Sequence, residues 1–94
     1  MLFRKKCNAK NVIDAIENVE EEIWNSGISY DSKIEYTSDR SYSTEKIVKK
    51  LEKQAYEDAY YDLESLKGVF DGGKKYNKLI NFAMNCLEDE EKFP

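Results

Sequence analysis

Two carboxylates lie within apolar stripes of this sequence, where they could do acid–base chemistry. Asp62 falls inside the apolar stripe of one helical segment, and Glu20 falls between Ile13 and Trp24 on another. A carboxylate shielded from water needs a hydrogen bond or a cation, and two that meet can form an acid–base site. The sequence contains no histidine, the usual general base. We therefore expect structural partners for both, such as a lysine or a tyrosine hydroxyl, and we expect no enzymatic activity.

The two cysteines, Cys7 and Cys86, are the other residues that could act as nucleophiles or metal ligands. No imidazole is present to activate them or to complete a zinc site, and the pair Gly72-Gly73 lacks the pattern of a phosphate-binding loop. Two cysteines are too few for a secreted disulfide scaffold of this length. We therefore expect both to be reduced thiols, with Cys86 in the core.

Tyrosines are concentrated near residue 60, and they are candidates for binding a partner. Tyr56 and Tyr60 flank the core stripe of their helix, whereas Tyr61 points nearly opposite to it. Tyrosine combines a large apolar ring with a polar tip, which makes it a common interface anchor. The alternative is that Tyr56 and Tyr60 cover the core of their own domain. For Tyr61 the outward position favours a partner.

Asparagine and glutamate provide two further candidate binding surfaces. Asn77, Asn81 and Asn85 recur every four residues, so their amides can bond one another along a helix or dock on another chain. The acidic run Glu20, Glu21 and Glu22 could occupy a basic site on a protein. A metal ion would need oxygen ligands that converge, which a convex helix face does not offer. We therefore expect no metal and no cofactor.

Three helices must position these residues. Apolar spacing predicts helices over residues 9–26, 44–67 and 74–91, with Asn8 and Ser43 as N-caps and Gly27 and Gly68 as stops. Between the first two, residues 28–42 alternate apolar and polar positions, which fits a short β-hairpin or an ordered loop. The connection around Gly72-Gly73 is short enough to make the last two helices antiparallel. The sequence therefore predicts one small all-α domain over residues 1–94, an antiparallel three-helix bundle with a hairpin or a loop between helices 1 and 2.

The last predicted helix is apolar over an arc of roughly 200°, which one neighbouring helix cannot cover. It needs at least two partners, and surplus apolar surface would favour a homo-oligomer. The chain has a net charge of -4 and no continuous cationic face, so we expect no direct binding of nucleic acid. No apolar run follows the basic start, so we expect neither a signal peptide nor a membrane span, and a cytoplasmic location.

These observations favour a non-enzymatic protein-interaction module. A more specific hypothesis is a small inhibitor from a phage or mobile element that covers a basic surface of a host nucleic-acid-handling or defence protein. Frequent lysine, asparagine, isoleucine and tyrosine, typical of AT-rich coding, agree with such a source. The alternative is a helical oligomer that sequesters a small ligand between protomers, in a pocket of tyrosine and asparagine side chains.

Overall fold

Helical segments follow one another through residues 6–89, the part of the chain that this computed structural model describes. They are α1 (Ala9–Trp24), α2 (Tyr30–Ile34), a π-helical turn (Glu35–Asp39), α3 (Thr44–Glu52), α4 (Tyr56–Val69) and α5 (Gly73–Glu88). The all-α prediction is confirmed, and the described residues contain no strand. None of the described helices is long and apolar enough to cross a membrane.

The four longer helices form a closed array in which each packs against two others. α1 packs on α5 and α3, and α4 packs on the same two helices. The Tyr76 hydroxyl contacts the carbonyl of Leu66, and Tyr60 contacts Glu88, so residue numbers rise along α5 as they fall along α4. These two helices are therefore antiparallel. A three-helix bundle is not confirmed, because the predicted second helix is in fact two helices.

The break in that predicted helix lies at residues 53–55, between α3 and α4. Gln54 has a φ of 62°, in the left-handed region, and the Ala55 amide donates to the Lys50 carbonyl over 2.8 Å. This hydrogen bond closes the end of α3 in the way that a glycine-containing cap usually does. No glycine or proline marks the position, and the apolar periodicity continues across it. The sequence therefore predicted one unbroken helix.

The predicted β-hairpin is wrong, because residues 30–39 are helical. Ser29 caps this helix, since its hydroxyl oxygen accepts from the Ser32 amide over 3.2 Å. The Thr37 hydroxyl donates to the Lys33 carbonyl over 2.7 Å one turn later. Residues four apart, such as Tyr30 and Ile34, share a helix face as well as a strand face. The alternation of apolar and polar residues therefore fits a strand and a helix equally well, and the Ser29 cap favours the helix.

The predicted starts of α1 and α3 are correct, and α5 begins one residue earlier than predicted, at Gly73. It ends at Glu88, and the predicted end at residue 91 lies outside the described residues. Asn8 caps α1 by accepting from the Asn11 amide over 2.8 Å, whereas Ser43 precedes α3 without a capping hydrogen bond. α1 ends at Trp24, and α4 continues through Gly68 to Val69, so Gly68 is not a stop. The chain leaves α4 at Phe70, which has an extended conformation. The ring of Phe70 packs on Tyr36 and Tyr76.

The wide apolar arc of α5 is covered by two helices, α1 and α4, as the sequence predicted. Its fully buried side chains are Tyr76, Ile80, Ala83, Cys86 and Leu87. Two glycines make the start of this helix possible. A Cβ on Gly72 would lie 2.3 Å from Cγ of Tyr76, and Gly73 has a φ of 89°. Gly72 thus lets the Tyr76 ring approach the backbone, and Gly73 adopts a left-handed conformation that would strain a larger residue.

Cys7 and Cys86 are joined by a disulfide, so the prediction of two reduced thiols is wrong. Their Cα atoms are 5.2 Å apart, within the usual range for the bond. The start of α1 lies beside the end of α5, and this brings together two residues that are 79 positions apart in sequence. No local pattern in the sequence indicates that proximity. Cys86 lies in the core as predicted, with 1% of its surface exposed.

Candidate functional site

A groove lies between α1 and α3 in the described structure. Its volume is about 440 Å³, and its lining includes four carboxylates and one ammonium group. Ile16 and Val48 supply apolar surface, and Lys49 is the cation. The carboxylates belong to Glu17, Glu20, Glu45 and Glu52. A groove with this lining can hold an extended cation that also carries an apolar stem.

Glu20 is the carboxylate of the groove that the fold holds in position. The Thr44 hydroxyl donates to Oε1 of Glu20 over 2.8 Å, and Thr44 itself is 1% exposed. The same hydroxyl lies 3.4 Å from the carbonyl of Thr37, so the π-helical turn also packs at this point. The sequence predicted a structural partner for Glu20, and that partner is a threonine at the start of α3.

The other two residues of the acidic run point elsewhere. A carboxylate oxygen of Glu22 lies 3.6 Å from Nζ of Lys75 on α5, and Glu21 is exposed. Consecutive residues of a helix are about 100° apart, so three neighbours cannot share one face. The structure therefore places Glu20 in the groove and separates it from Glu21 and Glu22.

Asp62 is held by a lysine, as the sequence predicted. Its carboxylate forms an ion pair with Nζ of Lys50, which joins α3 to α4. The side chain of Asp62 is 16% exposed. Glu20 bonds to Thr44 and Asp62 pairs with Lys50, so each carboxylate has a partner of its own. Within residues 6–89, no cluster of histidine, cysteine or acidic side chains has an arrangement that could hold a metal ion.

The tyrosines divide as the sequence suggested. Tyr56 and Tyr60 are half-buried and pack against the core, whereas Tyr61 is 55% exposed. The ring of Tyr61 meets that of Tyr60 edge to face, with centroids 5.5 Å apart. The Tyr60 hydroxyl lies 3.4 Å from Oε1 of Glu88, and partial burial together with this carboxylate raises the pKa of Tyr60. Tyr61 is thus the ring of the three that is free to contact a partner.

The asparagines do not form a hydrogen-bonded row. Oδ1 of Asn81 accepts from Nζ of Lys67 over 2.8 Å, which links α5 to α4. Asn85 is exposed and Asn77 is half-buried. Among the described residues no hydrogen bond joins two of these amides, and none of the three lines the groove.

The residues on the α3 side of the groove were not predicted from the sequence. Glu45, Val48, Lys49 and Glu52 follow one another at helical spacings and share one face, which was the available signal. Also not predicted was an exposed aromatic pair, Trp24 and Tyr30, whose ring centroids are 5.8 Å apart. Their contact depends on the turn between α1 and α2, where a hairpin or a loop was predicted.

The groove gives the chain a place to hold a positively charged group beside apolar surface. Within the groove, Glu20 is bonded to the Thr44 hydroxyl, and the exposed carboxylates of Glu17, Glu45 and Glu52 face solvent. No protein-family model, curated protein or solved structure matches this chain.

Proposed function

We propose that this protein is a non-enzymatic interaction module that binds a positively charged segment of another protein in the groove between α1 and α3. The observation that carries the proposal is the lining of the groove, four carboxylates against one ammonium group beside Ile16 and Val48. Lysine and arginine combine an aliphatic stem with a charged tip, so a segment rich in them matches both parts of this lining. An amphipathic basic helix fits best.

The charges of the groove suit recognition of such a segment. Glu17, Glu45 and Glu52 are exposed, so they attract a cationic segment at long range without being desolvated beforehand. Glu20 is already fixed by Thr44, so less side-chain freedom is lost when it pairs with an incoming cation. Exposed charges would control the association rate, and Glu20 would contribute to the orientation of the bound segment.

The more specific proposal is a small inhibitor from a phage or mobile element. Such a protein would cover the basic surface with which a host enzyme or defence protein handles nucleic acid. The acidic composition, with a sequence pI of about 4.9, supports this version, and it also supports the proposal that the chain itself does not bind nucleic acid. A cytoplasmic location remains part of the proposal, although it loses the support of reduced thiols.

The alternative, an oligomer that sequesters a small ligand, would use a pocket of tyrosine and asparagine side chains between protomers. The groove instead lies within one chain and is lined by other residues. Its lining therefore supports protein binding over this alternative. Self-association through the exposed Tyr61 is compatible with either function.

A basic peptide tests the proposal directly. We would titrate a lysine-rich amphipathic helical peptide into the protein by calorimetry, at NaCl concentrations from about 50 to about 300 mM. The matched control is the same peptide with glutamate in place of lysine. We expect the lysine peptide to bind, with an affinity that falls as salt rises, and the glutamate peptide not to bind.

Two double variants with the same net charge distinguish the effect of the groove carboxylates on peptide binding from the effect of the net charge of the protein. Glu17→Gln/Glu52→Gln removes two carboxylates from the groove, whereas Glu21→Gln/Glu64→Gln removes two exposed carboxylates outside it. We expect the first to weaken binding by about threefold to tenfold and the second to change it much less. Equal losses in the two variants would mean that net charge, and not the groove, attracts the peptide. Absence of binding even at low salt would contradict the proposal.

A further inference from the structure

The disulfide connects the two ends of the helical array. Cys7 directly precedes the Asn8 cap of α1, and Cys86 lies in the last turn of α5. The hydrogen bonds of residues 6–8 are made with α1 itself, from the Asn11 side chain to the Lys6 carbonyl and from the Asn11 and Val12 amides to Asn8. Apart from apolar packing of Cys7, the disulfide is therefore what fastens this segment to α5.

The two sulfurs differ in access to solvent. Cys86 is 1% exposed, whereas Cys7 is half-buried at the surface. A reducing thiolate can therefore approach Sγ of Cys7 and not Sγ of Cys86. The rest of the core does not include Cys7, and a reduced Cys86 would still fill its place as a small apolar residue. The fold can thus persist with the bond open, which a reversible device requires.

The last turn of α5 also contacts a tyrosine of α4. Glu88 follows Cys86 by two residues, and its carboxylate lies against the hydroxyl of Tyr60. The ring of Tyr60 in turn packs edge to face on Tyr61. Motion of the last turn of α5 would therefore change the position of the Tyr60 ring and the exposure of Tyr61.

We propose that the Cys7–Cys86 disulfide is a reversible redox clamp that sets the order of the last turn of α5 and of the Tyr60–Tyr61 pair. A dithiol reductant opens it in two steps. One reductant thiolate attacks Sγ of Cys7 and releases the Cys86 thiolate, which takes up a proton. The second thiolate of the reductant then attacks the reductant sulfur that is bonded to Cys7, which forms the cyclic disulfide of the reductant and releases the Cys7 thiolate to take up a proton. Exchange with a disulfide oxidant runs the same two steps in reverse and closes the bond. This device is independent of the α1–α3 groove.

Hydrogen exchange in the oxidised and the dithiothreitol-reduced protein tests the clamp. We expect reduction to speed amide exchange at residues 86–88 by about threefold or more, while the interior of α3 stays protected. The aromatic NMR signals of Tyr60 and Tyr61 should shift at the same time. The melting temperature should fall by about 10 °C or more, with a cooperative transition retained. In the fully reduced protein, Cys7 should be alkylated before Cys86, because Cys7 is the more exposed of the two.

The variant Cys7→Ser/Cys86→Ala is the matched control, because it should resemble the reduced protein and ignore the reductant. Three results would overturn the proposal. Immediate alkylation of both cysteines without reductant would show that the bond does not form. Unchanged exchange and unchanged tyrosine signals after reduction would show that the bond clamps nothing. Loss of the cooperative transition, in the reduced protein and in the control variant, would show a bond required for folding and not a switch.

Discussion

At the scale of single residues, the polar groups placed within apolar stripes have partners from other helices. Glu20 bonds to Thr44, and Asp62 pairs with Lys50. The sequence predicted that both carboxylates would be satisfied, because an unpaired buried charge is costly. It could not predict the partner of Glu20, since that threonine is 24 positions away and their proximity depends on how α1 packs on α3. The sequence therefore predicted the burial of these two carboxylates better than the identity of their partners.

The buried phenol of Tyr76 makes stability depend on pH in the alkaline range. Burial, together with electrostatic interactions with Tyr36 and Asp71, raises the pKa of Tyr76 above its ordinary value of 10.0. The unfolded chain loses this proton near pH 10, and the native protein loses it only at higher pH. The native state thus holds more protons above pH 10, and the free energy of unfolding should fall as pH rises from there.

The variant Tyr76→Phe isolates this effect. It loses the hydrogen bond from the Tyr76 hydroxyl to the buried Leu66 carbonyl, so we expect it to be about 1–2 kcal/mol less stable at about pH 8. It has no phenol proton to lose, so the advantage of the natural protein should shrink toward about pH 11. Urea unfolding of both proteins across this range is the measurement. A constant difference at all pH values would contradict the prediction.

At the scale of elements, the sequence showed where helices lie better than where they end. Apolar spacing placed α1 and α5, and the Asn8 side chain marked the start of α1, because periodicity and caps are local signals. The break at Gln54 was invisible, since its left-handed conformation is imposed by the packing of α3 on α4. The α1–α3 groove was hidden for the same reason. Only its α1 carboxylate Glu20 was among the predicted binding residues.

Glycine at position 54 should stabilise the protein. A left-handed conformation costs an ordinary residue about 1–2 kcal/mol, and glycine avoids most of that cost. Glycine also makes the unfolded chain more flexible, which removes about 0.4–1 kcal/mol of the gain. We therefore expect Gln54→Gly to raise the free energy of unfolding by up to about 1 kcal/mol, as measured in urea. Lys49→Gly, in the helical part of α3, should lower it by about 1 kcal/mol. Destabilisation by both substitutions would contradict the left-handed assignment.

At the scale of the whole molecule, four helices cover one another and leave particular side chains outside. The apolar arc of α5 is covered by α1 and α4, so it offers less surplus surface for self-association than the sequence suggested. Among residues 6–89, the aromatic side chains that stay exposed are Tyr61 and the Trp24–Tyr30 pair. The homo-oligomer therefore remains a prediction whose support now comes chiefly from Tyr61.

Removal of the Tyr61 ring tests that prediction. If Tyr61 anchors a second copy, light scattering should give at least twice the chain mass of 11.0 kDa at micromolar concentration. Tyr61→Ala should return the mass toward that of one chain and leave the helical circular dichroism unchanged, since the ring is 55% exposed. A monomer at every concentration would contradict self-association, and a melted variant would place the ring in the core.

NMR mapping would show whether the groove between α1 and α3 receives a positively charged segment. The amide signals of ¹⁵N-labelled protein would be recorded during titration with the lysine-rich amphipathic peptide. We expect the largest shifts on residues 16–20 of α1 and 44–52 of α3, and we expect them to disappear as salt rises. Shifts centred on Tyr61 or on the asparagines of α5, or the absence of any shift at low salt, would contradict it.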